Sequence, residues 1–150
     1  MSTLAKKLSS TEKELSNIIF EQTGGDQSFA LIRSKGDQAL FCKTTNEMKA
    51  HWKVPDNRPL ADFAPTILLK AKDFATEITI FNARQHGMTS ETDFSQEHVT
   101  NNLAVRSALL ERGTRPESLA PVEDVKKVAR RLASDEKKSL EHPDAFSPDS

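Results

Sequence analysis

The chain has 150 residues, with 21 Lys and Arg against 22 Asp and Glu and a formal net charge of −1. This length is enough for one domain with its own hydrophobic core. The single cysteine, Cys42, excludes an internal disulfide framework and is typical of a reducing compartment. No apolar run approaches the roughly 18 residues of a membrane span, and the N-terminus lacks the apolar core of a secretory signal. We therefore expect a cytoplasmic protein with no membrane partner.

Start and stop signals for helices divide the first half of the chain. A serine or threonine followed three residues later by glutamate is typical of a capping box, and this pattern occurs at Ser9 and at Thr44. Gly24 and Gly25 end the first helix, and we expect Gly36 to break the second, because glycine is unfavourable inside a helix. The predicted elements are helices over 9–22, 28–33 and 44–54 and a single helical turn over 58–63.

The longest helix is predicted over 65–86, with Gly87 closing it. Apolar residues recur on it every three or four positions, so they share one face. We expect this face to be the centre of the core, with Phe74 and Ile78 buried. Its members are Ile67, Ala71, Phe74, Ile78 and Phe81.

Two further helices are predicted toward the C-terminus. Ser95 is the predicted cap of the first, which ends at Gly113 and whose inward residues are Val99, Leu103, Ala104 and Leu110. The second is predicted over 121–141, with acids in its first turn and bases farther on, as the helix dipole favours. Its narrow apolar stripe, predicted to face the domain, consists of Val125, Val128, Ala129 and Leu132.

No alternating strand pattern occurs, so the predicted fold class is all-α. We expect a compact multi-helix domain, with about six helices around one long central helix. Residues 1–8 are interpreted as a linker or frayed start, residues 9–142 as the helical domain, and residues 143–150 as a disordered, flexible tail.

Motifs of common catalytic and cofactor sites are missing from the sequence. Its five glycines form neither of the two glycine-rich phosphate-binding motifs. The four histidines include no H-x-x-x-H pair for zinc, and nothing in the sequence places a base beside Cys42. His98, three residues after Ser95, is assigned to a helix start. We expect that the protein is not an enzyme and needs no cofactor or metal.

Several stretches of the sequence are distinctive enough to compare with a known family. The three clearest are IRSKGDQALF (32–41), NRPLADF (57–63) and KAKDFATEIT (70–79). In this order they resemble the bacterial DNA-damage-inducible protein D (DinD) family. The resemblance begins near TEKEL (11–15) and ends near Lys138. After the three clearest stretches it continues through EHVTNNLAVR (97–106), LERG (110–113), RPE (115–117), EDVKK (123–127) and RR (130–131).

The resemblance implies a non-catalytic regulator of the SOS response. DinD proteins join an N-terminal domain of the antirepressor (Bro) type to a helical region, and this chain resembles the helical region alone. Such proteins inhibit recombination by destabilising RecA filaments on single-stranded DNA. The candidate partner-binding residues are the basic ones of the resembling segments and of the last predicted helix: Arg33, Lys35, Arg58, Lys70, Lys72, Lys127, Arg130 and Arg131.

Two details of the resemblance bear on structure. DinD relatives tend to have glycines after the position of Phe41, whereas this chain has Cys42 and Lys43. The segment 58–63 has an equally supported alternative to partner binding, namely a folding corner in which Asp62 is a cap and Phe63 lies in the core.

Two other functions stay open at this point. Residues 44–52, 54–57 and 59–63 have the order of a helix-turn-helix, in which Lys49 and Lys53 would contact DNA backbone. A net charge of −1 and a pI of about 6.4 disfavour this hypothesis, because DNA-binding domains are usually basic. The other hypothesis is a dimerisation module of an antirepressor-type protein. Direct DNA contact and a homodimer both stay open.

Overall fold

The computed structural model describes residues 2–25, 29–122 and 132–137. These residues are helical with no β-strand, which confirms the predicted all-α class. A helical stretch at 132–137 is followed by undescribed residues that include the predicted tail. The other elements are α1 (Thr3–Thr23), α2 (Phe29–Phe41), α3 (Thr45–Trp52), a 3-10 turn (Leu60–Phe63), α4 (Thr66–His86), α5 (Glu91–Glu111) and a second 3-10 turn (Pro116–Ser118).

The four long helices pack into one bundle, in which α4 lies between α1 and α5, and α5 lies between α4 and α2. Two clusters of buried apolar side chains fill its interior. Members of the first include Leu8, Phe41, Trp52 and Leu68, and members of the second include Leu15, Ile19, Ile32, Ile80 and Phe94. The short helix α3 covers one end of the bundle, where the Trp52 ring meets the Phe41 ring edge-on.

The first helix begins earlier than the sequence predicted. The Ser2 hydroxyl accepts a hydrogen bond from the backbone N–H of Ala5, so Ser2 is the N-cap. Ala5 and Leu8 are fully buried, because they extend the apolar stripe of α1 by two turns. The interpretation of residues 1–8 as a linker or frayed start is therefore wrong for residues 3–8, and Ser9 is an exposed residue within the helix.

Gly36 lies inside α2, so the predicted break at this residue is wrong. A β-carbon built on Gly36 would lie 2.6 Å from Cδ2 of His98 and 3.0 Å from Nδ2 of Asn102, both on α5. Real β-carbons do not approach other atoms so closely. Glycine is therefore needed here to let two helices approach, and the cost of a flexible backbone is offset by that packing.

The fourth helix matches its predicted bounds, including the closure at Gly87, but it buries a different face. Phe74 is 61% exposed and Ile78 is half-buried, so the predicted burial of this pair is wrong for Phe74 and only partly right for Ile78. The buried face includes Leu68, Ala71, Lys72, Ala75, Thr76, Thr79 and Ala83, and Ala71 is the one member of the predicted row that is buried. Three of these seven are polar, which is why hydrophobic periodicity selected the neighbouring row instead.

The fifth helix begins at Glu91 with Ser90 as its N-cap, so Ser95 is a buried residue within the helix rather than its cap. Leu103 is 50% exposed and Leu110 is also exposed, contrary to their predicted inward orientation. Ala104 is exposed too, and Val99 is half-buried. The inner face of α5 is mostly polar instead, and besides Phe94 and Val105 it consists of Ser95, His98, Asn101, Asn102 and Arg106.

A buried polar layer joins α2, α4 and α5. His98, which had been assigned to a helix start, lies in the middle of α5, with Nδ1 2.9 Å from Oγ1 of Thr79. The amide of Asn101 donates to the same Thr79 oxygen. Asp37 and Lys72 form an ion pair with Oδ1 and Nζ 3.0 Å apart, and both side chains are almost fully buried. The layer satisfies buried polar groups that would otherwise oppose folding.

The buried imidazole makes stability depend on pH. Burial lowers the pKa of His98 from 6.5 to about 4, so the folded protein holds it neutral while the unfolded chain takes up a proton below about pH 6.5. The neutral imidazole therefore contributes fully to the free energy of unfolding above about pH 6.5, and this contribution is lost progressively as the pH falls toward 4. We expect urea titrations to show a loss of about 2 kcal/mol from this group between pH 7 and pH 5.

The variant His98→Gln removes the titrating group and is the control for this prediction. Its free energy of unfolding should start lower at pH 7, because the contacts of His98 are changed, but should vary less between pH 7 and pH 5. Equal losses in the parent and the variant over that interval would contradict the assignment.

Candidate protein interface

Three of the predicted partner-binding cations are engaged inside the fold. Each has an acidic partner: Arg33 with Glu12 at 3.0 Å, Arg58 with Asp62 at 2.7 Å, and Lys72 with Asp37 at 3.0 Å. Lys72 is in addition buried, so it cannot reach a partner without breaking the polar layer. The assignment of Lys72 to a partner surface is therefore wrong, and Arg33 and Arg58 are ion-pair residues of the fold.

The segment around Arg58 is a folding corner, the alternative that the sequence left open. The predicted role of Asp62 as a cap is wrong, because the N-cap of the 3-10 turn is Pro59 and the Asp62 carboxylate pairs with Arg58. The guanidinium of Arg58 pairs with Asp62 and also lies 5.6 Å from the centre of the Phe63 ring. Leu60 is buried and Phe63 packs against the first apolar cluster. The backbone oxygen of Phe63 accepts a hydrogen bond from the N–H of Val122, which holds the chain after α5 against this corner.

Two other predicted cations, Lys35 and Lys70, are exposed and form no ion pair with any other described residue. They lie on opposite sides of α5, each beside exposed apolar side chains. The remaining three candidates, Lys127, Arg130 and Arg131, lie outside the described residues. Leu132, which was predicted to face the domain as part of the same helix, is 59% exposed, so that prediction is wrong for Leu132.

The first exposed area, which we call the α2–α5 surface, is formed by two helices that pack closely on each other. It contains a shallow depression of about 200 Å³. Lys35 is the charged residue in its lining, and Leu103 is its most prominent apolar residue. The lining consists of Lys35, Gln38, Ala39, Val99 and Leu103.

The second exposed area is an apolar groove of about 500 Å³ between α4 and α5, which we call the α4–α5 groove. Small alanine side chains line part of the groove, and larger side chains from both helices line the rest. Lys70 and Arg112 are its charged residues. The rest of the lining is Ile67, Ala71, Phe74, Ile78, Ala104, Val105, Ala108 and Leu109.

A charged clamp holds the chain that follows α5. The guanidinium of Arg106 forms two hydrogen bonds with the carboxylate of Glu117, at 2.5 and 3.0 Å, and a third with the backbone oxygen of Leu40. The hydrogen bond from Arg106 holds the pKa of Glu117 at about 2. The indole of Trp52 donates to the backbone oxygen of Leu119 nearby. The clamp attaches the second 3-10 turn to α2, α3 and α5.

The sequence did not single out either exposed surface or this clamp. Groove residues such as Phe74 have the periodicity of a buried face, and the sequence alone does not distinguish an exposed apolar row from a core row. Arg106 and Glu117 both lie in DinD-like segments, but no local pattern indicates that they pair. Within the described residues, no group of three or more potential metal ligands comes together.

Comparisons with protein-family models, with curated proteins and with solved structures find no match to this chain. Among the described helices, none combines the length and the apolar composition that crossing a membrane requires.

Proposed function

We propose that the chain is a cytoplasmic, non-catalytic regulator of the DNA-damage response, of the DinD type, which binds and destabilises RecA filaments on single-stranded DNA. One observation carries the proposal. Two of the DinD-like segments, 32–41 and 97–106, form most of α2 and the middle of α5. They share an exposed surface that offers Lys35 beside Leu103.

The composition of this surface favours a protein partner over bare DNA. Protein interfaces combine an apolar centre with a polar or charged rim, which matches Leu103 and Val99 beside Lys35. Non-specific DNA binding instead requires several cations on neighbouring phosphates. Of the five described candidate cations, Arg33, Arg58 and Lys72 already have acidic partners. The other two, Lys35 and Lys70, line different surfaces, so these candidates do not form a cluster of cations for neighbouring phosphates. We therefore assign the contact to the RecA protein of the filament.

The helix-turn-helix alternative has less support. A reading helix must be long enough to lie in the major groove. The element after the turn at 54–57 is the four-residue 3-10 turn Leu60–Phe63, and it belongs to the folding corner. Lys49 donates to the backbone oxygen of Asp56, and Lys53 is the left-handed C-cap of α3.

Filament disruption needs no chemistry at this site. A protein that binds a released RecA subunit more tightly than one within the filament shifts the equilibrium toward disassembly by mass action. The required free energy comes from the difference between those two affinities. A non-catalytic surface is therefore sufficient.

The test is filament disassembly, followed by light scattering of RecA preassembled on single-stranded DNA. We expect the parent chain to lower the scattering, and we expect Lys35→Glu and Leu103→Ser to weaken this effect about tenfold each. Lys13→Glu makes the same charge change on an exposed lysine of α1 and should behave as the parent does.

The outcomes separate the function from its location. Filaments that survive a large excess of the parent chain would refute the proposed function. Disassembly that is unaffected by both Lys35→Glu and Leu103→Ser would refute the α2–α5 surface as the contact. Steeply salt-dependent binding to DNA in the absence of RecA would instead favour the DNA-binding alternative.

A further inference from the structure

The outer side of α4 carries a heptad pattern that the described part of the chain leaves uncovered. Apolar residues follow one another at alternating spacings of four and three, as at the a and d positions of a coiled coil. Phe74 is 61% exposed and Phe81 63%. Ile67 is 45% exposed and Ile78 is half-buried, whereas the small Ala71 between them is buried in the first apolar cluster. Large exposed apolar side chains grouped in one row mark an interface rather than ordinary surface. We call this row the α4 seam, and its residues are Ile67, Ala71, Phe74, Ile78 and Phe81.

We propose that the α4 seam packs against the α4 seam of a second copy of this chain, with the two helices antiparallel and Phe74 at the two-fold axis. This register places Ile67 opposite Phe81 of the second copy. By symmetry, Phe81 lies opposite the second copy's Ile67, so each large side chain of the row gains an apolar neighbour.

The charges beside the seam select the antiparallel arrangement. In the proposed register Lys70 lies opposite Glu77 of the second copy, and symmetry makes this pair twice. A parallel arrangement would instead place Lys70 near Ala75 and Glu77 near Asn82 of the second copy, so neither charge would gain an ion pair. Lys70 has no ion-pair partner among the described residues, and Glu77 has an exposed contact with Lys7 at 3.4 Å that is weak enough to share.

The shape of the same surface is self-complementary. The phenylalanines of α4 form a ridge, and the α4–α5 groove beside it has a low floor because Ala104 and Ala108 are small. A two-fold axis brings the ridge of each copy toward the groove of the other. This complementarity within one surface favours a second copy over an unrelated protein as the occupant.

The area involved sets the strength of the association. Covering the exposed parts of Ile67, Phe74 and Phe81 in both copies removes on the order of 600 Å² of apolar surface from water. With the flanking charges and the groove included, the interface is at the small end of specific interfaces, so the dimer is weak and depends on concentration. The seam shares no residue with the α2–α5 surface, so the inference does not rest on the proposed function.

The first test is sedimentation equilibrium of the full chain between about 10 and 500 µM. We expect a reversible monomer–dimer equilibrium, and we expect Phe74→Ser to weaken it about tenfold or more. Phe20→Ser is the matched control, because Phe20 is equally exposed but lies on α1, away from the seam. Circular dichroism should show that both variants keep their helices.

The second test determines the register. Lys70→Glu and Glu77→Lys should each weaken self-association, since each creates two like-charge contacts. An equimolar mixture of the two variants should restore the dimer, because the glutamate at 70 of one chain then faces the lysine at 77 of the other, while Glu77 of the first faces Lys70 of the second. A mixture that associates no better than either variant alone would refute the antiparallel register.

Two results would overturn the self-association itself. A parent chain that is monomeric throughout the concentration range would refute the second copy as the occupant of the seam. A dimer that Phe74→Ser leaves unchanged would show that the chain associates through a different surface.

Discussion

Replacing Asp37 by alanine is expected to lower the free energy of unfolding by about 3–5 kcal/mol. The carboxylate of Asp37 is the partner of the buried Lys72 ammonium, and it also accepts a hydrogen bond from the hydroxyl of Thr45 at 2.6 Å. Without Asp37, folding must bury the charge of Lys72 without compensation and leave the Thr45 hydroxyl without this acceptor. Urea titrations at pH 7 measure the difference.

Two variants separate the cost of an unpaired charge from the value of the pair. Replacing both partners, Asp37→Leu with Lys72→Met, should restore most of the loss, because a buried pair is worth little more than apolar side chains of similar size. Glu14→Ala breaks the exposed pair of Glu14 and Arg84 and should cost no more than about 1 kcal/mol. If Asp37→Ala also cost no more than about 1 kcal/mol, this result would contradict the burial of the Asp37–Lys72 pair.

Two phenylalanines of similar volume should respond very differently to truncation. Phe94 is fully buried in the second apolar cluster, and Phe94→Ala should cost about 3–5 kcal/mol because it leaves a cavity. Phe74→Ala should cost less than about 1 kcal/mol, since most of its ring is already in water. Chemical denaturation at low protein concentration, where the chain is monomeric, compares the two without a contribution from self-association.

The comparison also tests which face of α4 is buried. Equal losses for the two variants would mean that Phe74 belongs to the core, as the hydrophobic periodicity predicted. The α4 seam would then be an internal contact, and the inference of self-association would lose its main support.

Signals that act over a few residues were sufficient to predict the helical class and several helix ends. The capping box at Thr44 and Glu47 forms as predicted, with both reciprocal hydrogen bonds present. Gly87 closes α4 in the left-handed conformation. Each of these features depends on the local backbone, so a short stretch of sequence determines it.

The orientation of the helices depended on contacts between distant residues. Hydrophobic periodicity assigns polar residues to the surface, yet Lys72, Thr79 and His98 are buried because other helices supply their hydrogen-bond and ion-pair partners. Gly36 was expected to end a helix, and only its distance from His98 explains why it lies inside one. These pairings are not encoded by spacing along the chain, so only the tertiary structure could decide them.

The candidate partner surfaces also depend partly on the sequence and partly on the tertiary structure. The sequence by itself determined the helical fold class, several helix ends and the set of basic residues from which a partner surface could be built. The tertiary structure decided which of those residues are available, because it pairs Arg33 and Arg58 with acids and buries Lys72, while Lys35 and Lys70 stay exposed. A cation's availability depends on whether folding brings a carboxylate within a few ångströms of it, and in most of these pairs the carboxylate comes from a different helix.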